Sequence, residues 1–470
     1  MANLFSKFPD LFKKFPYLKE GLIGGGSAFL VLLLVLGGFA FSSETQKAKP
    51  KASPSASRSA SPSPSPSPSP SPVKTCSVAE QAANPSLGTL QSIVLNADTG
   101  EVLFDRSGDI PASTASGMKT LTAAAALMSL GPNYRATTRV LAEPSAKTSI
   151  SLVGGGDLTL SKTDAGAQSV FRDAPKLSSL ATQVIDWAAT NGVSQLSEII
   201  LDSTLFAGPA WESSWRRKDQ VDGWISEVTA LQVDGDRIDP AAWTSPKTGR
   251  PVASAGEEFR ALLGPLAESA VLVEAATPAG FVQIASVESQ PMSRWIAHTL
   301  QTSENLESEM IGRLVSLNLG FDGSFTSIDP AYKQALSSLG LDLSAMLIRD
   351  GSGLSNLNMV APRTLAELMR LVNVSYGEFG SIKSSLPIAG KTGTLSGRFK
   401  GDIADAAGSI IAKTGYITEA YTLSGIISAV DGTTLTFAIY ALDNVGPDVR
   451  VAIDTLATGF YRCGNNLSNE

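Results

Sequence analysis

A serine followed three residues later by a lysine on the first turn of a helix can make a nucleophile without histidine, and Ser116-Gly117-Met118-Lys119 has that spacing. Residues at i and i+3 of a helix share a face, so the hydroxyl and the amine can touch. A lysine kept neutral by burial and nearby cations can then take the hydroxyl proton. Residues 118–130 are rich in Ala, Leu and Met and stop at Gly131-Pro132, which predicts a helix with Ser116 at its N-terminal end. The helix dipole there favours negative charge on the oxygen, and the Ser116 N–H is placed to help bind an oxyanion. The spacing alone carries little weight, because Ser71-Pro72-Val73-Lys74 repeats it in a Ser/Pro stretch that can form no pocket.

Other chemistries lack residues. His298 is the only histidine, so a His-rich metal site is excluded and no metal or cofactor is expected. It lies in an amphipathic stretch, 292–300, with no nucleophile motif beside it, and is expected to be a surface or core residue rather than part of a triad. Two further groups have useful chemistry. Ser303-Glu304-Asn305 precedes a helix-like run, 306–319, and side chains two apart in an extended loop project to one side. Lys413-Thr414-Gly415 ends a predicted strand, where a lysine and a hydroxyl can meet a carboxylate while the strand pairs with an extended peptide.

The elements that must position these groups begin with a hairpin over 92–105, turning at Asp98-Thr99-Gly100. Strands are predicted at 409–412, 421–430 and 434–442, so sheet begins and ends the folded region with helices between. Lys-Thr-Gly also occurs at Lys247 and Lys391, and at most one of the three can be catalytic. Lys247 follows a proline in a polar loop and is set aside. Lys391-Thr392-Gly393-Thr394 is the serious rival, having a small polar residue after the triplet. Lys413 is preferred because it follows Ile410-Ile411-Ala412 and leads into paired strands, whereas Lys391 sits between Pro387 and the loop-like Ser396-Gly397-Arg398.

The chain's 470 residues, 43% hydrophobic, can bury a large core and divide into more than one domain. A net charge of −7 and a pI near 5.1, without a dense Lys/Arg cluster, exclude a nucleic-acid partner. Residues 21–41 carry no charge and are long enough to span a bilayer. Lys7, Lys13, Lys14 and Lys19 precede them, which predicts a cytoplasmic N-terminus and an exported body. Cleavage of this segment as a signal after Gly38-Phe39-Ala40 is the competing reading. Residues 53–72, nearly all Ser and Pro, predict an extended stalk holding the body away from the membrane. An exported chain can oxidise Cys76 and Cys463, its two cysteines, to a disulfide stapling the ends of the folded region. That contributes about 4 to 5 kcal/mol at most.

The three groups occur in the order Ser-x-x-Lys, Ser-x-Asn, Lys-Thr-Gly of penicillin-recognising enzymes. Residues 112–127, 303–306, 350–355 and 390–399 resemble the D-alanyl-D-alanine carboxypeptidases of penicillin-binding class C, and the similarity covers nearly everything after Cys76. The resemblance implies an α+β penicillin-binding, serine β-lactamase-like transpeptidase fold, an antiparallel sheet flanked by helices, with a large insert between the first and second motifs. The expected division is 1–20 cytoplasmic, 21–42 transmembrane anchor, 43–75 linker, 76–135 and 286–470 catalytic, and 136–285 inserted.

Carried over by residue, the resemblance makes Ser116 the acylated nucleophile, Lys119 its base, Ser303 a proton relay and Asn305 an amide-binding group. Lys413 and Thr414 then bind the substrate's terminal carboxylate, with Gly415 completing the triplet. Tyr416 follows where the family commonly has Ser or Thr; its N–H still serves an oxyanion hole, but a hydroxyl is lost. Gly154-Gly155-Gly156-Asp157 resembles the family's Gly-Gly-Gly-Asp-Pro, with Leu158 at the proline, and Asp157 is either a substrate contact or the cap of a turn. Asp350 to Ser355 forms either a cleft rim or a tight turn. Trp211, Trp215 and Trp224 are expected in the core. The implied partners are peptidoglycan peptides, β-lactam inhibitors and, through the anchor, the cell membrane, with the catalytic region outside. A serine β-lactamase is a weaker reading, because no Glu-x-x-Leu-Asn of the class A type is present. A non-catalytic wall-binding scaffold is the third.

Overall fold

The expected hairpin is present in a computed structural model that describes residues 73–443 and 446–470. Strand β1 (Thr89–Asn96) pairs with β2 (Val102–Arg106), and the Asn96 carboxamide oxygen caps the turn by accepting from the Asp98 and Thr99 N–H groups. Gly100, at φ +77°, supplies the left-handed position this turn needs. Strands β8 (Ile410–Ile417), β9 (Ala420–Ser428) and β10 (Thr434–Leu442) complete an antiparallel sheet of order β2-β1-β10-β9-β8.

Both faces of this sheet are covered, which is why Ile93, Val94 and Leu95 of β1 are all fully buried. Ile93 and Leu95 join a core with α1 (Met118–Ser129) and α7 (Pro362–Asn373), while Val94 faces the core formed with α8 (Val449–Cys463). Gly131, at φ +79°, ends α1 by donating its N–H to Ala126 O. Helices α4 (Met292–Thr302), α5 (Asn305–Asn318) and α6 (Phe325–Leu336) extend the same core as α1. Cys76 and Cys463 are disulfide-bonded, joining the start of the described chain to the end of α8.

Residues between α1 and α4 build a second sheet with its own core. Its strands are β3 (Thr137–Ala142), β4 (Ser149–Val153), β5 (Glu198–Asp202), β6 (Val271–Glu274) and β7 (Val282–Glu288), in the order β6-β5-β4-β3-β7. The parallel strands β4, β5 and β6 are linked by α2 (Leu177–Thr190) and α3 (Pro251–Leu263), the crossovers that parallel pairing requires. Strand β3 runs antiparallel to β4 and β7. This mixed α/β sheet was not legible in the sequence, where its strands are short and most of them pair with partners far away along the chain.

Strand β8 does not stop at Ala412 but runs through the Lys-Thr-Gly triplet to Ile417, because pairing with β9 continues to Ile417↔Ala420. Ser303-Glu304-Asn305 is not an extended loop but a corner between α4 and α5, with Ser303 in the left-handed region at φ 63° and its N–H donating to Thr299 O. The expected anchor and the stalk lie outside the described residues. Among the described residues no helix is long and apolar enough to cross a membrane.

Candidate active site

The turn before α1 sets the nucleophile. Ala115–Gly117 is a 3-10 turn, and Ala115 is held at φ 44° and fully buried, an uncommon conformation for a residue with a Cβ. The turn is fixed from β9, where the Thr422 hydroxyl donates to Thr114 O at 2.7 Å, and from Gly117 N–H to the same oxygen at 3.0 Å. Ser116 is thereby presented to a cleft of ≈ 970 Å³, while Lys119, one turn on, is completely buried beneath it.

Lys119 Nζ lies 2.9 Å from Ser116 Oγ, 2.8 Å from Asn305 Oδ1 and 2.7 Å from Ser352 O. Asn305 Oδ1 and Ser352 O can only accept. A neutral amine has two N–H groups for them, so its lone pair is left pointing at the Ser116 hydroxyl. Burial lowers the Lys119 pKa to about 8, the carboxyls of Glu309, Asp350 and Glu304 opposing it.

The remaining groups meet at the same place. Ser303 and Asn305 line the cleft together with Ser116, Thr414, Gly415 and Tyr416. Lys413 Nζ, also fully buried, donates to Ser303 Oγ at 2.9 Å and Thr414 O at 2.8 Å. Burial and then the charge of Lys119 push the Lys413 pKa well below the usual lysine value. Lys391 is exposed on a loop, with its amine over Gly408 and away from the cleft. Strand β8 passes so close to the nucleophile turn that a Cβ on Gly415 would fall 2.9 Å from Ser116 N and 2.2 Å from Thr422 Oγ1.

Asp157 is not gathered with these residues. It is 1% exposed, accepts from the Thr159 N–H at 2.8 Å and hydroxyl at 2.6 Å, and does not line the cleft. Burial raises its pKa to about 6 despite the Thr159 hydrogen bonds. Its glycines serve backbone contact, since a Cβ on Gly154 would meet Ala230 O at 2.3 Å and one on Gly155 would meet Thr137 O at 2.0 Å. Of its two expected roles, the geometry favours the turn cap over the substrate contact. His298 is half-buried, with Nδ1 2.7 Å from Glu307 Oε2, and takes no part in a triad. Trp215 is buried as expected and donates its indole N–H to Asp350 at 2.8 Å. Trp224 departs from the core expectation, being half-exposed along the cleft. Among the described residues no cluster of ligating side chains suits a metal ion.

A family model described as D-Ala-D-Ala carboxypeptidase 3 (S13) matches residues 74–257 and 250–460. The chain belongs to this S13 family. It is a serine-type D-Ala-D-Ala carboxypeptidase with the α+β penicillin-binding fold. Carboxypeptidase DacB of Mycolicibacterium smegmatis is 34% identical over 394 residues, covering 83% of this chain and 84% of that protein. A D-alanyl-D-alanine carboxypeptidase of Actinomadura sp. is 27% identical, over 78% and 80%. In fold, penicillin binding protein 4 of Haemophilus influenzae superposes with a TM-score of 0.67 at 18% identity, covering 81% of this chain and 96% of that one.

Further residues support this site, some of them beyond the three motifs. The segment 350–355 supplies part of the cleft wall through Gly353 and Leu354 while its other residues are buried: Glu309 accepts from the Gly351 and Ser352 N–H groups at 2.9 and 2.7 Å, and Gly351 O accepts from Thr122 and Ser308 hydroxyls. Burial, reinforced by Asp350, raises Glu309 to about 8. Gly353, at φ +82°, sits where a Cβ would fall 1.8 Å from Ala115 O. The paired glycines were the available signal. On the other side, Arg237 forms a buried ion pair with Glu304, and Asn305 Nδ2 donates to Trp224 O at 3.1 Å. Lys247, set aside on sequence, is buried nearby and donates to Gly235 O at 2.9 Å.

Proposed function

We propose that this peptidase removes the terminal D-alanine from peptidoglycan stem peptides, and opens cross-links ending on D-alanine, through an ester on Ser116. The observation that carries the reading is the buried Lys119 amine 2.9 Å from Ser116 Oγ, with two acceptors for its own hydrogens. As Oγ attacks the carbonyl carbon between the two D-alanines, its proton passes to Lys119 Nζ. The carbonyl oxygen becomes an oxyanion for the Ser116 and Tyr416 N–H groups, which the close approach of Gly415 brings together. Collapse breaks the C–N bond, and the departing amine receives a proton relayed from Lys119 through Ser303. Water then attacks the ester as Lys119 takes its proton and passes it to the departing Ser116 Oγ, which restores the neutral amine, and the released carboxylic acid ionises in solvent.

Binding follows from the edge of the sheet. The first half of β8 is capped by residues 387–389, through Ala412 N–H to Pro387 O and Ala389 N–H to Ile410 O, both 2.9 Å. Beyond it, β8 carries the cleft-lining Thr414, Gly415 and Tyr416, where an extended peptide can add as a further strand. Its terminal carboxylate reaches Lys413 and Thr414, and that anion favours the charged form of Lys413. A β-lactam has a carboxylate and an acyl carbon for the same groups, and the Haemophilus influenzae relative has a solved β-lactam complex.

We further propose that 76–135 and 286–470 form the catalytic unit and 136–285 the inserted domain, with 21–42 a transmembrane anchor and 43–75 a linker that keep the body outside the cell. Separate incubations of the full chain with fluorescent penicillin and with an acyl-D-Ala-D-Ala peptide test the enzymatic reading. Labelling and D-alanine release should both vanish in Ser116→Ala. Labelling that persists in that variant, or is absent from wild type, overturns the reading.

A further inference from the structure

The second Lys-Thr-Gly triplet is too close to the site to be incidental. Its loop begins at 387–389, the segment capping β8, and closes on itself through Ile388 N–H to Thr392 Oγ1 at 2.9 Å, Thr392 N–H to Ile388 O at 3.1 Å and Gly390 N–H to Leu395 O at 3.0 Å. Gly393, at φ +53°, lies against the last turn of α4, where a Cβ would fall 2.7 Å from Gln301 O. The loop therefore bridges the helix ending at Ser303 and the strand carrying Lys413. Both Gly393 and Thr394 line the cleft, and Thr394 Oγ1 is 2.8 Å from Thr414 Oγ1.

We infer that Thr394 is a positioning residue of the carboxylate clamp, its hydroxyl donating to Thr414 Oγ1 so that the Thr414 proton is directed at the substrate's terminal carboxylate. This rests on the assignment of Lys413 and Thr414 as that clamp. A hydroxyl has a single proton to donate. A carboxylate is a stronger acceptor than a neutral hydroxyl, so its arrival draws the Thr414 proton. Thr414 Oγ1 is then free to accept from Thr394, and the chain from Thr394 through Thr414 to the carboxylate polarises in one direction. Strand β8 supplies no second short hydroxyl there: Tyr416, two residues on, is 63% exposed and packs its ring 5.1 Å from that of Tyr421. The donor comes instead from a loop outside the three motifs, held by its own hydrogen bonds.

The test couples the residue to the substrate group it serves. The full chain and its Thr394→Val and Thr394→Ser variants are assayed on a peptide ending in D-Ala-D-Ala as the free acid and on the same peptide as its C-terminal carboxamide. For the free acid, Thr394→Val should lower kcat/KM about 5- to 30-fold, mainly through KM, as expected for a hydrogen bond serving a charged group. For the carboxamide the loss should stay below about 2-fold, and Thr394→Ser should restore the free-acid rate, since it retains the hydroxyl. Equal losses on the two peptides, an unchanged free-acid rate, or failure of serine to rescue overturns the inference. Wild-type turnover reports separately on the underlying reading: a wild-type chain inert toward both peptides removes that reading and the inference with it.

Discussion

Lys119 decides whether Ser116 is a nucleophile. Its pKa is lowered to about 8 by burial, and the reactive form is the neutral amine. Acylation by penicillin should therefore rise with pH through about 8 and level off above it, falling about tenfold per unit below. A pH profile of the labelling rate checks this, and a rate flat from pH 6 to 9 contradicts it. Lys119→Arg keeps a permanent charge that cannot accept the proton and should slow acylation by a factor on the order of 10³. Ser116 and Lys119 were legible in the sequence because their spacing sat at a helix start in a chain with one histidine. The decoy Lys74 instead forms an ion pair with Glu101 at 2.8 Å. The two readings of Asp157, substrate contact or turn cap, could not be separated in the sequence because a Gly-rich run before an acid looks alike whether the glycines admit a ligand or a neighbouring backbone.

Two tight crossings between elements hold the site together. Strand β8 presses against the nucleophile turn at Gly415, and the buried 350–355 segment presses against it at Gly353. Gly415→Ala should shift β8 away from Ser116 N and reduce acylation by roughly 100-fold or more, read as the rate of fluorescent penicillin labelling. Gly353→Ala adds a Cβ 1.8 Å from Ala115 O at a backbone angle suited to glycine, and should destabilise the fold by roughly 2–4 kcal/mol in urea unfolding. The strands and helices bearing the motifs were readable from their periodicity. The left-handed corner at Ser303 was not, since a serine there declares no backbone angle. The role of 390–395 escaped because Lys391 looked like a competitor for the clamp, whereas Thr392, Gly393 and Thr394 make the contacts.

Across the whole molecule, the second sheet's segment holds the Ser303-Asn305 corner through a buried charge cluster. Burial tends to raise the Glu304 pKa, but Arg237, Lys247 and His298 overcome it and hold the group at about 2, against an ordinary 4.5. Glu304 thus stabilises the native state above about pH 4.5, and that contribution is lost as pH falls through about 2. Glu304→Gln should leave Arg237 buried without its counter-charge, cost about 3–5 kcal/mol and weaken the dependence of stability on pH in that window. The disulfide acts far from this chemistry: Cys76→Ser with Cys463→Ser should lower unfolding stability by about 2–5 kcal/mol while folded protein still labels with penicillin at 25 °C. The pairing of the cysteines was legible because a chain with two of them has one choice, whereas most pairings of the second sheet join strands too far apart in sequence to leave a local pattern. The most direct test of the central claim is mass spectrometry of the full chain after exposure to a β-lactam, with peptide mapping of the adduct. One acyl group on Ser116 in wild type, formed about 10³-fold more slowly in Lys119→Arg, is the predicted result; an adduct on another residue, or the same rate in both proteins, contradicts it.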